Sequence, residues 1–274
     1  IKQQQFESAE QRLAELYKKS SSTERRRDYQ EAYAVAIYQQ AKSSQAADNA
    51  VVSIEHLIRL TQLLPTATIS ADALYEAITL AVKSEQWALA ANASELFLQR
   101  YKSHRSAVDV NRYLSTIYLN VGDTDRAAVA LETMSSQEKD TDVQMAALWQ
   151  AAELYEKQGK SQDAIRAYST YTQKYPSPYP QYVEAMSRLI ELYVKDKKPM
   201  LVKQLRSTLV SADRSTVASR KTERTNQLVA SAALTLGKES MTHFTSIALK
   251  EPLERNLAQK KKLMQECSVK YLKR

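Results

Sequence analysis

Leu114-Ser115-Thr116-Ile117-Tyr118-Leu119-Asn120-Val121-Gly122-Asp123-Thr124-Asp125-Arg126-Ala127 has a counterpart in Ala151-Ala152-Glu153-Leu154-Tyr155-Glu156-Lys157-Gln158-Gly159-Lys160-Ser161-Gln162-Asp163-Ala164. Tyr, Gly and Ala recur at identical offsets, 37 residues apart. The chain has 274 residues and only three glycines, and two of them hold this one position. Average usage would supply roughly 19. Leu114, Ile117 and Tyr118 stand at i, i+3, i+4, which makes one apolar helix face. The glycine then ends that helix in a left-handed cap. Asp123 or Ser161 can cap the next helix. The small Ala127 or Ala164 lets the second helix cross close to the first. Pro176, after Tyr175, stops the second helix. Each stretch therefore reads as an antiparallel helix hairpin.

The register extends outward. A step of 37 residues back from Ala127 reaches Ala90, behind Trp87, with Glu85 where the glycine stood. A step of 38 forward from Tyr155 reaches Tyr193, whose turn Lys195-Asp196-Lys197-Lys198-Pro199 lacks glycine. Further upstream, Tyr38 and Ala47 keep the nine-residue offset of Tyr155 and Ala164. Over Met145–Pro176 the residues Leu148, Ala151, Ala152, Tyr155, Gly159, Ala164, Tyr168 and Pro176 resemble the tetratricopeptide repeat (TPR), and Leu131 fills the large apolar slot of the unit before. The resemblance implies an all-α fold, a right-handed α-α superhelix: a TPR-like solenoid of antiparallel helix hairpins. Spacings of 37 and 38 exceed the family's usual unit of 34, which implies longer helices or loops. Another antiparallel hairpin array, such as the superhelix of some cell-wall lytic enzymes, is the alternative. The expected organisation is 1–66 as N-terminal helices with a degenerate repeat, then 67–210 as core repeats at about 71–101, 108–140, 145–176 and 183–209. Residues 211–274 are basic helices continuing the array.

Scarce glycine argues against phosphate-cradling loops, nucleophile elbows and hairpin-rich β folds. No Walker loop, dinucleotide fingerprint, HExxH or GxSxG is present. Glu153 and Glu156 fall on helix surfaces, without the cleft that shifts a catalytic pKa. The sixteen tyrosines mostly occupy repeat core positions, so they read as packing rather than base-stacking platforms. Cys267, the single cysteine, excludes an internal disulfide. His56, His104 and His243 share no ligand spacing. No enzyme activity, cofactor or metal is expected. No apolar run has membrane-span length. The opening Ile1-Lys2-Gln3-Gln4-Gln5 is polar and lacks an initiator Met, which suggests a segment of a longer protein.

At the N-terminus, residues 1–20 form an amphipathic leading helix with Phe6, Leu13, Leu16 and Tyr17. Ser20–Thr23 is a turn, and Arg25-Arg26-Arg27 a solvated face. Ser211–Thr216 reads as the entry to a long helix reaching about Leu236, with Gly237 capping or kinking it. Phe244–Leu249 and Pro252-Leu253 lead to a helix carrying Leu257, Lys260-Lys261-Lys262, Leu263 and Met264. Charge is lopsided: residues 195–274 hold 18 Lys/Arg against 7 Asp/Glu, a net +11, while the rest is −3.

The function expected is a protein-protein interaction scaffold that binds a partner peptide or protein. In TPR proteins the first helix of each unit lines the concave surface. With Tyr118 in the core, the exposed row is Arg112, Thr116 and Asn120, then Trp149, Glu153 and Lys157, then Ser187, Glu191 and Lys195. Arg and Trp are frequent binding hot spots. The plainer alternative is a solvated row with Trp149 packed between units. A second functional reading is a polyanion-binding solenoid (nucleic acid, acidic polymer or anionic membrane) using residues 195–274. The Tyr-Pro repeat ending, Gln/Ser/Thr-rich surface and near absence of Cys resemble bacterial cell-envelope TPR proteins. That implies a periplasmic location and envelope assembly; a cytoplasmic scaffold is the alternative.

Overall fold

Five helix hairpins account for most of the chain. They pair α2 (Thr23–Ala46) with α3 (Ala50–Leu63), α4 (Ser70–Lys83) with α5 (Trp87–Arg100), and α6 (Ala107–Val121) with α7 (Thr124–Gln137). The last two pair α8 (Thr141–Lys157) with α9 (Ser161–Lys174), and α10 (Tyr179–Lys195) with α11 (Pro199–Ser215). Helix α1 (Lys2–Lys19) precedes them, and α12 (Glu223–Ser246) and α13 (Leu253–Cys267) follow. These come from a computed structural model, which describes residues 2–248 and 253–267, and among the described residues there is no strand. The molecule is an all-α, TPR-like helical-repeat array. Leu249, Pro252 and residues 268–274 lie outside the described residues, as do the side chains of Leu253 and Cys267.

The hairpin turns share one backbone device. Each contains a left-handed residue: Asp48 (φ 58°), Glu85 (55°), Gly122 (84°), Gly159 (73°) and Lys197 (56°). They follow one another at 37, 37, 37 and 38 residues. The next N–H reaches back five residues to a carbonyl of the first helix: Asn49 to Ser44, Gln86 to Ala81, Asp123 to Tyr118, Lys160 to Tyr155, Lys198 to Tyr193, at 2.8–3.0 Å. This is the longer hydrogen bond of the Schellman motif. Five residues past each left-handed residue, Ser53, Ala90, Ala127, Ala164 and Val202 are all buried where the second helix packs on the first. A Cβ on Gly122 or Gly159 would meet nothing within 4 Å. Those glycines therefore serve the positive φ and not a close contact.

The turns correct several expectations. The first hairpin is shifted by six residues from the expected register: Ser44 and Ser53 take the places assigned to Tyr38 and Ala47. Ala47 lies in the exposed turn. The Tyr/Ala pair was misleading because small Ser fits the buried crossing as well as Ala. Asp123 caps α7, accepting from the Arg126 N–H at 2.9 Å. Ser161 does not cap α9; it is the first helical residue, behind Lys160. Ser211–Thr216 is the end of α11 rather than a helix entry. The next helix starts at Thr222, where the Thr222 and Thr225 hydroxyls form a reciprocal capping box. Gly237 neither caps nor breaks α12, which runs on to Ser246. Pro176 follows α9, which ends at Lys174. The Arg25–Arg27 triplet is exposed on the first turn of α2.

The chain divides into two compact units, Ile1–Ala147 and Leu148–Arg274. In the first, Ile37, Ile54, Leu57, Leu60, Leu74, Ile78, Phe97 and Ile117 are fully buried. In the second, Val183, Met186, Ile190, Val202, Leu209, Val229 and Leu236 form one apolar cluster. Burial of such side chains, about 1.5–3 kcal/mol each, is the main favourable contribution.

Candidate functional site

Within each unit the first helices of neighbouring hairpins approach one another directly: α4 touches α6, and α10 touches α12. Second helices reach each other through long side chains, Arg100 to the Thr61 carbonyl at 2.6 Å and Arg126 to Glu95. In the first unit, first helices thus neighbour first helices and second helices neighbour second ones.

Arg112, Thr116 and Asn120 lie on α6, and all three are exposed. Arg112 forks onto Glu138 and also pairs with Asp109 at 3.0 Å. The guanidinium beside Glu138 holds that carboxyl below its usual range. Asn120 donates to the Thr116 carbonyl at 2.8 Å. Arg112 is thus a positioned cation, its far end fixed from α7's terminus.

Steps of 37 residues, taken from the left-handed turns, add residues to this row that the sequence pattern alone did not reveal. Tyr75, Thr79 and Lys83 lie on α4, and Tyr38 and Lys42 on α2. Tyr38 donates to Glu76 at 2.9 Å, Lys42 donates to the same carboxylate, and Lys42 sits over the Tyr38 ring at 5.4 Å. This trio joins α2 to α4. Burial, then the Glu76 hydrogen bond, raises the Tyr38 pKa. Tyr75 rests against Phe97 at 6.3 Å between ring centres. The sequence signal for the first of these turns was Asp48-Asn49, whose Asn49 side chain accepts from the Val52 N–H and caps α3.

The second unit holds the other six expected residues. Trp149 is half-buried and packs edge-on against Tyr168 (5.6 Å) and Tyr171 (5.5 Å) of α9. Its ring is engaged inside its own hairpin. Glu153 and Ser187 are half-buried, and Lys157, Glu191 and Lys195 are exposed. Glu191 faces Arg188 at 4.0 Å. Glu156, expected on the surface, instead accepts from the Tyr168 hydroxyl at 3.3 Å and faces Arg188 at 3.8 Å.

Nothing in these networks isolates a reactive group. The histidines stay apart: His56 beside Arg59 and Glu10, His104 edge-on to Phe97, His243 exposed. Burial, then Arg59, lowers the His56 pKa. Among the described residues no His/Cys/Asp/Glu group could hold a metal, and no helix is long and apolar enough to cross a membrane.

No family model and no curated protein matches the sequence. Solved structures similar to it include the P58(IPK) TPR domain, 15% identical with a TM-score of 0.34, covering 97% of this chain and 76% of that one. BtubC (BKLC) from P. vanneervenii is 16% identical with a TM-score of 0.36, over 84% of this chain and 91% of that one. A circular tandem repeat protein with novel repeat topology is 17% identical with a TM-score of 0.19, over 97% of this chain and 53% of that one. The TPR-like character is carried by the chain itself: five left-handed turns, evenly spaced, each followed by a buried crossing residue.

Proposed function

We propose that the chain is a non-catalytic scaffold that binds a peptide or helix of a partner protein on the first-helix face of its hairpins. The observation that supports this most is the ladder Tyr38, Tyr75, Arg112 in the first unit, one residue per hairpin at 37-residue steps. Tyr and Arg concentrate binding energy because they combine large contact area with directed polar groups. Thr79, Lys83, Thr116 and Asn120 beside them offer hydrogen bonds and charge with little bulk. Envelope assembly in the periplasm is the setting we propose, supported by the surface composition and the Tyr175-Pro176 repeat ending.

The test puts bulky charge on exposed residues. Thr116→Arg and Asn120→Arg should lower capture of the partner at least tenfold while leaving the helical circular dichroism unchanged. Val129→Arg, on the exposed side of α7, should leave capture intact. The reverse pattern, loss with Val129→Arg alone, would move the interface to the second helices.

A further inference from the structure

The fifth hairpin turn differs in chemistry from the other four. Residues 194–203 read Val-Lys-Asp-Lys-Lys-Pro-Met-Leu-Val-Lys, with four lysines; the equivalent windows of the other turns hold no more than two Lys or Arg. Lys195, Lys197, Lys198 and Lys203 are all exposed, and none is ion-paired among the described residues. Among them stand apolar side chains facing solvent: Met200 is 78% exposed, Val194 52% and Leu201 40%. Asp196 is the one acid, and it is half-buried.

The backbone of this tip is set by a hydrogen bond and a proline. Lys198 N–H bonds the Tyr193 carbonyl at 3.0 Å, and Pro199 fixes the first turn of α11. Lys197 itself sits at φ 56°, where two sibling turns have glycine. Asp48 and Glu85 fill the same left-handed position with acids, so the positive charge at this place is peculiar to the fifth turn.

We infer that this turn binds an anionic bilayer surface, with the lysines over lipid phosphates and Met200 and Leu201 entering the interface. Charge complementarity singles out this occupant, and the apolar tip separates it from a soluble polyanion. Nucleic acid would use the lysines and leave Met200 and Leu201 idle. A lysine near such a surface contributes about fivefold in affinity, and shallow insertion of apolar side chains adds to it. The triplet Lys260–Lys262 is the competing site, but Lys260 lies over the Phe244 ring at 4.8 Å, packed on α12. The tip shares no residue with the ladder Tyr38, Tyr75 and Arg112, so its failure would not touch the scaffold reading.

Sedimentation of the full chain with vesicles tests this. One set is phosphatidylcholine alone, and the other holds a third phosphatidylglycerol. Binding is expected on the anionic set only, falling steeply between about 20 and 200 mM salt. Lys197→Gly with Lys198→Gln should weaken it on the order of 25-fold. Met200→Ser with Leu201→Ser should weaken it roughly tenfold with all charges kept. No binding at low salt would overturn the inference. So would loss only with Lys260→Gln, Lys261→Gln and Lys262→Gln. Binding indifferent to the Met200/Leu201 pair would overturn it too, in favour of a soluble polyanion such as nucleic acid.

Discussion

Five residues set the turns of this fold, and they are not equally suited to the task. Gly122 and Gly159 enter φ > 0 without cost, while Asp48, Glu85 and Lys197 carry a Cβ there. Glu85→Gly and Lys197→Gly should raise unfolding free energy by about 0.5 kcal/mol, since relief of strain exceeds the added freedom of the unfolded chain. Gly122→Ala and Gly159→Ala should lower it by about 1 kcal/mol, with open space around both new Cβ atoms. Urea midpoints of the four variants check the sign of each. The glycine pair made the middle hairpins legible in the sequence, because a glycine-poor chain that places glycine twice at one repeat offset is marking a helix end that needs φ > 0. Asp48 marked its turn poorly: Asp is a common loop residue, and the nearby Tyr38 and Ala47 imitated the repeat six residues out of step.

The helices show where local signals compete with packing. Asp123 is a side-chain N-cap on α7, so Asp123→Ala should cost about 1 kcal/mol and loosen α7 first; amide exchange over Thr124–Ala128 would report it. No comparable loss is expected from Ser161→Ala, because the N-cap of α9 is Lys160, which makes no side-chain cap hydrogen bond. The contrast follows the repeat register: Asp123 comes one residue after Gly122 and Ser161 two after Gly159, so Lys160 holds the place equivalent to Asp123. The reading of 211–236 failed for a related reason. Ser, Thr and Asp serve helix starts and loose ends alike, and only the paired Thr222 and Thr225 hydroxyls distinguish the true start. Likewise Gly237 is tolerated inside α12 because Val229, Ala232 and Leu236 anchor that helix on the α10–α11 core. Periodicity read the candidate row as exposed; Arg112, Thr116 and Asn120 are exposed, whereas Trp149, Glu153 and Ser187 are half-buried. It could not reveal that Trp149 is held by Tyr168 and Tyr171.

At the scale of the molecule, a chain with sixteen tyrosines stores much of its pH response in phenols. Burial is the leading cause that raises the pKa of Tyr33, Tyr38, Tyr75, Tyr101 and Tyr118 in the first unit. It does the same for Tyr168, Tyr171, Tyr179 and Tyr182 in the second. A phenol in the unfolded chain loses its proton near pH 10. The folded chain holds these protons longer, so above about pH 10 the folded state binds more protons than the unfolded one. Stability is therefore level below about pH 10 and falls as pH rises from there. Urea midpoints should stay constant from about pH 8 to 9.5 and drop steadily towards about pH 11.5, with phenolate absorbance appearing as each unit unfolds. Tyr168→Phe gives the decisive comparison. It removes the hydrogen bond to Glu156, costing about 1 kcal/mol at neutral pH, and it also removes one phenol whose ionisation drives unfolding. Its stability should start below the parent's and fall less steeply in alkali, so the two curves converge. Parallel curves would show that Tyr168 titrates no differently in the fold than outside it.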